Sequence, residues 1–297
     1  INNICTLAFA WDNIPRATPV EYRNDGATLY VVSEGMSHTF YKRGEKDKVI
    51  EWKKMFIYQV EQPGVHQLMQ ELRGVIDEYE DRVLIGETED LAYHGNGKNE
   101  LHMVFNFPLK NNRQLTPAWI RSNQRKRLKG LEEIDPGAWP CNTLGNHDSP
   151  RVYNHFGDEA HNDQLARLSA ALMLTLRGTP FLYNGEEIGM TDLILTSITH
   201  FRDQLGIWLY QAEINLLGLT PDKALYDAAH FTRDKCRTPI QWKNAPNAGF
   251  SPEGVETWLP VNPNFTQGVN VADQQTNSQS LLHFYKSLIY LRQNTPT

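Results

Sequence analysis

The chain has 297 residues, of which 40% are hydrophobic and 22% charged, a composition typical of a globular protein with one large or two modest domains. This composition excludes a disordered, collagen-like or coiled-coil chain. The net charge is −6, and Lys and Arg are mixed with Asp and Glu along the sequence. We therefore expect no nucleic-acid partner, because a phosphate-binding surface needs clustered positive charge.

Two further observations concern nucleic-acid and membrane partners. A basic cluster lies in a predicted helix, where a solvated helix face is its favoured interpretation; its members are Arg121, Arg125, Lys126, Arg127 and Lys129. No apolar run approaches the roughly 20 residues that span a bilayer, so we expect no membrane contact. The chain opens on Ile1 without a signal-peptide pattern, and we expect an excised piece or a mature product.

The three cysteines are Cys5, Cys141 and Cys236, and no two of them form a CxxC pair. This odd count indicates neither a disulfide framework nor a zinc site. It favours a reducing compartment, and we therefore expect a cytoplasmic location.

Residues 1–50 are the least readable part, where we expect a strand and loops, followed by a helix that begins near Lys46. From about residue 52 onward, short strand-like runs alternate with helical periodicity, which is typical of βα units around a parallel sheet. The predicted strands cover residues 82–85, 102–107, 139–144 and 180–183. The predicted helices cover residues 64–80, about 116–131, 165–176, about 199–217 and 279–293.

Two helical segments carry the clearest information. The first predicted helix has one apolar face, formed by Val65, Leu68, Met69, Leu72, Val75, Ile76 and Tyr79. Between Arg237 and about residue 270 the chain is irregular and rich in Pro, Asn and Gly. A long irregular segment of this kind usually has a function, such as forming the wall of a site.

Polar and acidic residues follow the predicted strands at the point where each strand ends. The segment 83–87 (VLIGE) places Glu87 directly after a buried strand, although a satisfied loop carboxylate is the commoner role for a single residue of this kind. The segment 144–151 (LGNHDSPR) is denser, because His147, Asp148 and Arg151 fall within five positions. In barrels of parallel strands, catalytic side chains collect at the carboxyl ends of the strands.

These two segments together resemble the α-amylase superfamily of glycoside hydrolases, family 13. Further segments are more similar to α-glucosidases and oligo-1,6-glucosidases than to amylases: residues 58–66 (YQVEQPGVH), 178–190 (GTPFLYNGEEIGM), 237–242 (RTPIQW), 247–251 (NAGFS) and 258–263 (WLPVNP). The resemblance covers about residue 52 to the end of the chain.

The resemblance implies an α/β fold, the (β/α)8 or TIM barrel, of which this chain is a partial copy from about strand 4 or 5 to helix 8. Residues 51–297 then form the second half of the barrel, with an irregular insertion at about 191–278, and residues 1–50 include the loop after strand 4. It also implies that Glu87 is the catalytic acid/base and that Asp148 stabilises the transition state. His147 binds substrate, and Arg151 contacts substrate or orients a carboxylate.

The nucleophile that retaining chemistry needs has no visible match. A retaining enzyme uses two carboxyl groups about 5–5.5 Å apart, and in this family the nucleophile is an Asp that ends a Gly-Phe-Arg-x-Asp run. Either residues 25–32 are a relic of that strand, with Tyr30 at the nucleophile position, or residues 1–12 follow the nucleophile. We favour the second placement, because it leaves room for a long loop before residue 52. Three acidic residues are conceivable substitutes without a matching context: Asp12, Asp25 and Glu34.

The expected ligand is an α-glucoside or oligosaccharide, with no cofactor and no metal, because the calcium sites of the family lie mostly in parts without a counterpart here. Aromatic rings such as Trp242, Phe250 and Trp258 can stack on sugars, but core packing is the favoured role for each. Half a barrel leaves unpaired sheet edges, so we expect self-association or a complementing barrel half.

The leading interpretation is retaining hydrolysis of α-1,4 or α-1,6 glucosides by the parent enzyme, on maltose, isomalto-oligosaccharides or sucrose-type sugars. Glucosyl transfer or sugar isomerisation is the second, because a sugar can capture the same covalent intermediate instead of water. A third interpretation is a non-catalytic relative that keeps the barrel for sugar binding or partner assembly. The absent nucleophile favours the third, whereas the presence of Glu87, Asp148 and His147 opposes it.

Overall fold

The computed structural model describes residues 21–24, 28–33, 36–42, 62–215 and 217–295. The helix predicted near Lys46 lies outside these residues. The chain divides into two compact units: unit one is drawn from residues 1–105, 129–139 and 211–224, and unit two from 106–128, 140–210 and 225–297. Within the described part, no helix has the length and apolar character needed to cross a membrane.

The secondary-structure elements are numbered in chain order. The strands are β1 (Glu21–Asn24), β2 (Thr28–Ser33), β3 (Met36–Lys42), β4 (Ile85–Gly86), β5 (Met103–Asn106), β6 (Cys141–Thr143) and β7 (Thr179–Phe181). The α-helices are α1 (Val65–Ile76), α2 (Phe107–Asn111), α3 (Pro117–Ile134), α4 (Val152–His155), α5 (Asn162–Thr175), α6 (Gln204–Asn215), α7 (Pro221–Phe231), α8 (Val271–Thr276) and α9 (Leu281–Asn294). Short 3-10 turns follow several strands, among them Glu186–Ile188 after β7 and Arg233–Cys236 after α7.

Unit one contains an antiparallel sheet and a parallel strand pair. Strands β1, β2 and β3 pair as an antiparallel meander in which Tyr30 lies opposite Thr39. Strand β4 pairs in parallel with β5, with Ile85 opposite Met103. Helix α1 packs over this pair, and the core consists of Met69, Leu84, Tyr93, Leu101 and Val104. The antiparallel pairing around Tyr30 differs from the parallel pairing that a barrel strand would show.

Unit two is built around the parallel pair β6 and β7, in which Asn142 lies opposite Pro180. Helices α5 and α9 pack together through Ala170, Leu174 and Tyr285. A separate cluster of buried residues forms a second core in this unit: Leu195, Phe201, Ala228, Ala229 and Leu259.

An amide network supports the carboxyl end of β6 within unit two. Asn106, the last residue of β5, is fully buried and donates to the side-chain oxygens of Asn123 at 2.8 Å and Asn142 at 3.2 Å. Asn142 in turn donates to the carbonyl of Arg177 at 3.0 Å. Buried amides require such partners, so this network stabilises the position of β6.

The four predicted strands from residue 82 onward are confirmed, and each is shorter than predicted. The residues after β5 show why: Phe107 and Pro108 begin helix α2, because proline fits the first turn of a helix and cannot donate to a sheet. The N-terminal prediction of one strand with loops was incomplete, because β1, β2 and β3 occupy residues 21–42.

The predicted apolar face of the first helix is wider than the face that the protein buries. Met69 is buried, and three further residues pack partly against the core: Val65, Leu72 and Ile76. Leu68, Val75 and Tyr79 are more than half exposed. The buried stripe follows the spacing of three and four residues along one side of α1, and the other three residues lie beside it.

Candidate active site

Glu87 lies in unit one, directly after β4. Only 9% of the residue is exposed. The preceding Gly86 has no room for a side chain, because a Cβ there would lie 2.3 Å from Leu101 Cδ1. The close packing of Leu101 against Gly86 fixes the end of β4 and so the point from which Glu87 departs.

His147 and Asp148 lie in unit two, on the loop that follows β6. The loop is a tight Asx turn: Asn146 Oδ1 accepts from the backbone N–H of Asp148 at 3.0 Å and from the Ser149 hydroxyl at 2.8 Å. Thr143 at the end of β6 donates to the carbonyl of Gly145 at 2.6 Å. The side chain of His147 is half exposed and that of Asp148 is 18% exposed, so both can reach a ligand.

Two arginines hold the carboxylate of Asp148. Arg233 Nη1 donates to Asp148 Oδ1 at 3.3 Å, and Arg237 Nη2 donates to the same oxygen. Arg237 Nε also donates to the carbonyl of His147 at 2.7 Å. His147 Nε2 lies 3.5 Å from Asp148 Oδ1. The carboxylate is therefore oriented by charge-assisted hydrogen bonds and surrounded by positive charge.

Arg233 is itself held in place by Asp203. The guanidinium of Arg233 binds this carboxylate with a fork geometry, Nε to Oδ2 at 2.9 Å and Nη2 to Oδ1 at 2.6 Å. Burial of Asp203 disfavours its charge, but the bonds from Arg233 outweigh burial and hold the pKa of this carboxyl below its usual range. The same contact raises the pKa of Arg233. Arg233 thus presents its remaining Nη1 to Asp148 as a fixed positive group.

Arg151, from the same segment as Asp148, turns inward. It is 3% exposed, and its Nη1 donates to the carbonyl of Asn184 at 2.8 Å. Its guanidinium lies 5.1 Å from the ring centre of Tyr183, and its backbone N–H donates to Asp192 at 2.8 Å. Burial lowers the pKa of Arg151. The guanidinium partners of Asp148 are Arg233 and Arg237, so the substrate or carboxylate contact expected of Arg151 remains a prediction.

The irregular region contributes Arg237 beside Asp148, and its role as the wall of a site stays a prediction. Of the two arginines that bind Asp148, Arg237 is the first residue of this region and Arg233 lies in the 3-10 turn just before it. The indole N–H of Trp258 donates to the carbonyl of Arg237 at 2.9 Å, and the Trp258 ring meets Phe250 edge to face at 4.9 Å. Burial raises the pKa of Cys236 to about 11, so its thiol keeps the proton that it donates to the His147 carbonyl.

The aromatic residues of this region depart from the expected core role. Trp242 is 47% exposed and Trp258 is 50% exposed. Half-exposed tryptophans present an apolar ring face that a sugar can cover. Stacking on a sugar therefore stays a prediction for these two rings, and core packing does not describe them.

Sequence reasoning missed Arg233 and Asp203 and did not connect Arg237 with Asp148. The pairing of Arg233 with Asp148 spans 85 residues, and no local periodicity reports a contact of that range. The available signal was the position of Arg233 immediately before the segment 237–242. Of the sequence-predicted residues, the structure places His147 and Asp148 side by side, directs Arg151 into the interior and buries Glu87 at the end of β4.

Residues 25–297 match the family described as "Alpha amylase, catalytic domain". The chain belongs to this α-amylase family. Among curated relatives, it is 33% identical over 243 residues to a probable oligo-1,6-glucosidase 2 of Bacillus subtilis, covering 77% of this chain and 43% of the relative. It is 34% identical over 257 residues to an α-glucosidase of Pediococcus pentosaceus, covering 79% of this chain and 45% of the relative. The chain therefore spans less than half the length of these relatives.

Solved structures of a trehalulose synthase and an isomaltulose synthase also resemble this α-amylase family member. A trehalulose synthase in complex with Tris superposes with a TM-score of 0.69 at 31% identity, covering 80% of this chain and 45% of that one. An isomaltulose synthase of Erwinia rhapontici in complex with its natural substrate sucrose gives a TM-score of 0.68 at 28% identity, with the same coverage. The family and these neighbours imply a (β/α)8 barrel, and the described residues include the parallel pairs β4–β5 and β6–β7.

Proposed function

We propose that the enzyme containing this chain hydrolyses α-1,4 or α-1,6 glucosides with retention of configuration. The observation that carries the proposal is the Asp148 site: an oriented carboxylate beside a half-exposed histidine, in a chain of the α-amylase family. Glu87, at the end of its own strand, is the proposed acid/base. The chain is then the second half of the barrel, from about strand 4 or 5 to helix 8.

The chemistry assigns a distinct task to each side chain. The carboxylic acid of Glu87 protonates the leaving oxygen, while a nucleophilic carboxylate attacks the anomeric carbon. Asp148 accepts hydrogen bonds from sugar hydroxyls, and these bonds strengthen as positive charge develops on the ring. His147 donates to a further hydroxyl. The nucleophile has no recognisable match in this sequence, so the proposed activity is that of the complete enzyme.

The test is the stereochemistry of the first product. We expect a full-length enzyme containing these residues to release α-glucose before mutarotation from an aryl α-glucoside, whose only sugar product is the transferred glucose, and ¹H NMR of the anomeric proton detects it. Release of β-glucose would contradict a retaining mechanism. Absence of any turnover by a full-length, folded enzyme would favour the non-catalytic interpretation.

Glucosyl transfer is the second candidate, and the similarity to trehalulose and isomaltulose synthases favours it. Both outcomes proceed from one covalent intermediate, which either water or a sugar hydroxyl can capture. Incubation with sucrose distinguishes them: hydrolysis gives equal glucose and fructose, whereas isomerisation gives a new disaccharide with little free sugar. The proposed ligand is in either case an α-glucoside, and self-association or pairing with a complementing barrel half stays a prediction.

A further inference from the structure

Glu186 is a buried acid on the inner side of the Asp148 loop. It is the first residue of the 3-10 turn Glu186–Ile188 that follows β7, and 7% of it is exposed. Its Oε1 is buried and has no hydrogen-bond partner. Buried polar atoms are nearly always paired, because an unpaired one costs about 1–3 kcal/mol. An oxygen atom kept in this position without a hydrogen-bond partner therefore suggests a role other than adding a hydrogen bond.

The carboxyl group of Glu186 lies directly against Gly145. A Cβ on Gly145 would be 2.5 Å from Glu186 Oε1 and 3.0 Å from Val152 Cγ2, so only glycine leaves room for the carboxyl. Gly145 is the residue between β6 and the Asx turn that carries His147 and Asp148. A shift of the carboxyl group would therefore move the backbone of Gly145 and, with it, the turn that carries Asp148.

Three ionisable groups surround this carboxyl. Glu187 lies beside it on the same turn, Arg151 approaches from the loop before α4, and Tyr285 faces it from α9. Burial is the main cause that raises the pKa of Glu186 to about 8, and Glu187 adds to the effect, while a backbone N–H and Arg151 oppose it. Glu186 consequently keeps its proton at neutral pH, and its uncharged carboxyl group contacts Gly145.

We propose that Glu186 is a positioning residue whose buried carboxyl group, seated against Gly145, fixes the loop that carries His147 and Asp148. It does not reach the sugar. Its effect on turnover rests on the proposed function, because it acts through Asp148, whereas its effect on the loop does not. Ionisation of Glu186 places a buried negative charge against Gly145, which Arg151 compensates only in part, and displaces the loop.

The activity test uses the full-length enzyme and an activated aryl α-glucoside, whose leaving group needs little protonation from Glu87. We expect Glu186→Gln to match the wild type at pH 6.5 and to retain activity above pH 8, where the wild type declines. Glu186→Ala and Glu186→Asp should lose about 10- to 100-fold in kcat, with a smaller change in KM, as expected for a misplaced catalytic group. The matched control is Glu187→Gln, which removes an acid from the same turn and should keep an alkaline decline that begins at slightly lower pH, because Glu187 helps to raise the pKa of Glu186.

A second test needs no activity and uses the 297-residue chain itself. Hydrogen exchange of the amides at residues 145–149 should speed up at least 10-fold in Glu186→Ala and remain unchanged in Glu186→Gln. Gly145→Ala should also speed exchange, and the double variant Gly145→Ala with Glu186→Ala should exchange more slowly than either single variant, because the new methyl occupies the vacated space. Unchanged exchange in both single variants would overturn the proposal.

The pH dependence of stability gives the sign of the effect. The pKa of Glu186 is raised from 4.5 to about 8 on folding. Between these two pH values its neutral form therefore predominates only in the folded state. The stability that Glu186 contributes is therefore fully present below about pH 4.5 and is lost progressively as the pH rises to about 8. We expect the Tm of Glu186→Gln to exceed that of the wild type by an amount that grows between pH 5 and 8. Parallel Tm curves for the wild type and Glu186→Gln would show that Glu186 is not kept protonated by folding. Changed hydrogen exchange in the variants of a full-length enzyme that shows no turnover would refute only the proposed function.

Discussion

Asp148 owes its orientation to Arg233 and Arg237, which lie 85 and 89 residues further along the chain. A carboxylate bound by two guanidinium groups is held in one direction by charge-assisted hydrogen bonds. Fixed in one direction, it can stabilise positive charge without rearranging during the reaction. This geometry supports the proposed division of roles between Asp148 and Glu87.

The first prediction concerns Asp148→Asn in the full-length enzyme. The substitution keeps the size and removes the charge, so kcat and kcat/KM should fall together by roughly 10²–10³. An activated aryl α-glucoside should not restore the rate, because positive charge develops on the sugar whatever the leaving group. Steady-state kinetics provide the measurement, with the exposed Asp158→Asn as control. A raised KM with unchanged kcat would assign Asp148 to ground-state binding.

The second prediction assigns proton transfer to Glu87, which is buried at the end of β4. In Glu87→Gln, cleavage of glucosides with poor leaving groups should be lost, since the leaving oxygen then has no proton donor. Formation of the covalent intermediate from activated aryl glucosides should largely survive and appear as a burst. Burst kinetics on the two substrate types provide the measurement. Equal losses on both types would argue against an acid role.

At the scale of elements, glycine decides how closely β4 and its neighbours approach. Gly86 ends β4, where an added methyl would lie 2.3 Å from Leu101 Cδ1, whereas Gly74 in helix α1 faces open space. We predict that Gly86→Ala lowers the free energy of unfolding by about 1–3 kcal/mol, the usual cost of overpacking. Gly74→Ala should raise it by about 0.5–1 kcal/mol, because alanine favours the helix.

Urea denaturation of the two variants, with both transitions compared to the wild type, tests this pair. Each substitution adds the same single methyl group, so the contrast isolates its surroundings. Equal midpoints for both variants would show that Leu101 moves aside at little cost and that Gly86 does not constrain the end of β4.

The sequence predicted those elements whose apolar residues recur at a fixed spacing. Helix α1 and strands β4 to β7 fall in this class. Helix α7 escaped notice, because its buried residues are the small Ala224, Ala228 and Ala229, which give a weak apolar signal. The partners of Asp148 escaped for a different reason: they approach through folding of an irregular segment, where spacing along the chain says nothing about distance.

At the scale of the whole molecule, several large apolar side chains are exposed among the described residues. Three examples come from unit two, in which Leu168 is 65% exposed, Tyr290 69% and Leu291 55%. The chain spans 43–45% of the length of the relatives named above. Contact with another part of a barrel or with a second copy of the chain stays a prediction.

The last prediction is that the 297-residue chain alone does not turn over an aryl α-glucoside. Glu87, Asp148 and His147 are present, but no Gly-Phe-Arg-x-Asp run supplies a nucleophile. Loss of one member of a catalytic carboxylate pair typically costs several orders of magnitude in rate, even when the other members remain. The measurement is release of the aryl alcohol by the purified chain, with a full-length oligo-1,6-glucosidase as positive control. Turnover in the usual enzymatic range of about 1–10³ s⁻¹ would show that another carboxylate of this chain acts as nucleophile, and would make Asp12, Asp25 and Glu34 the first residues to substitute.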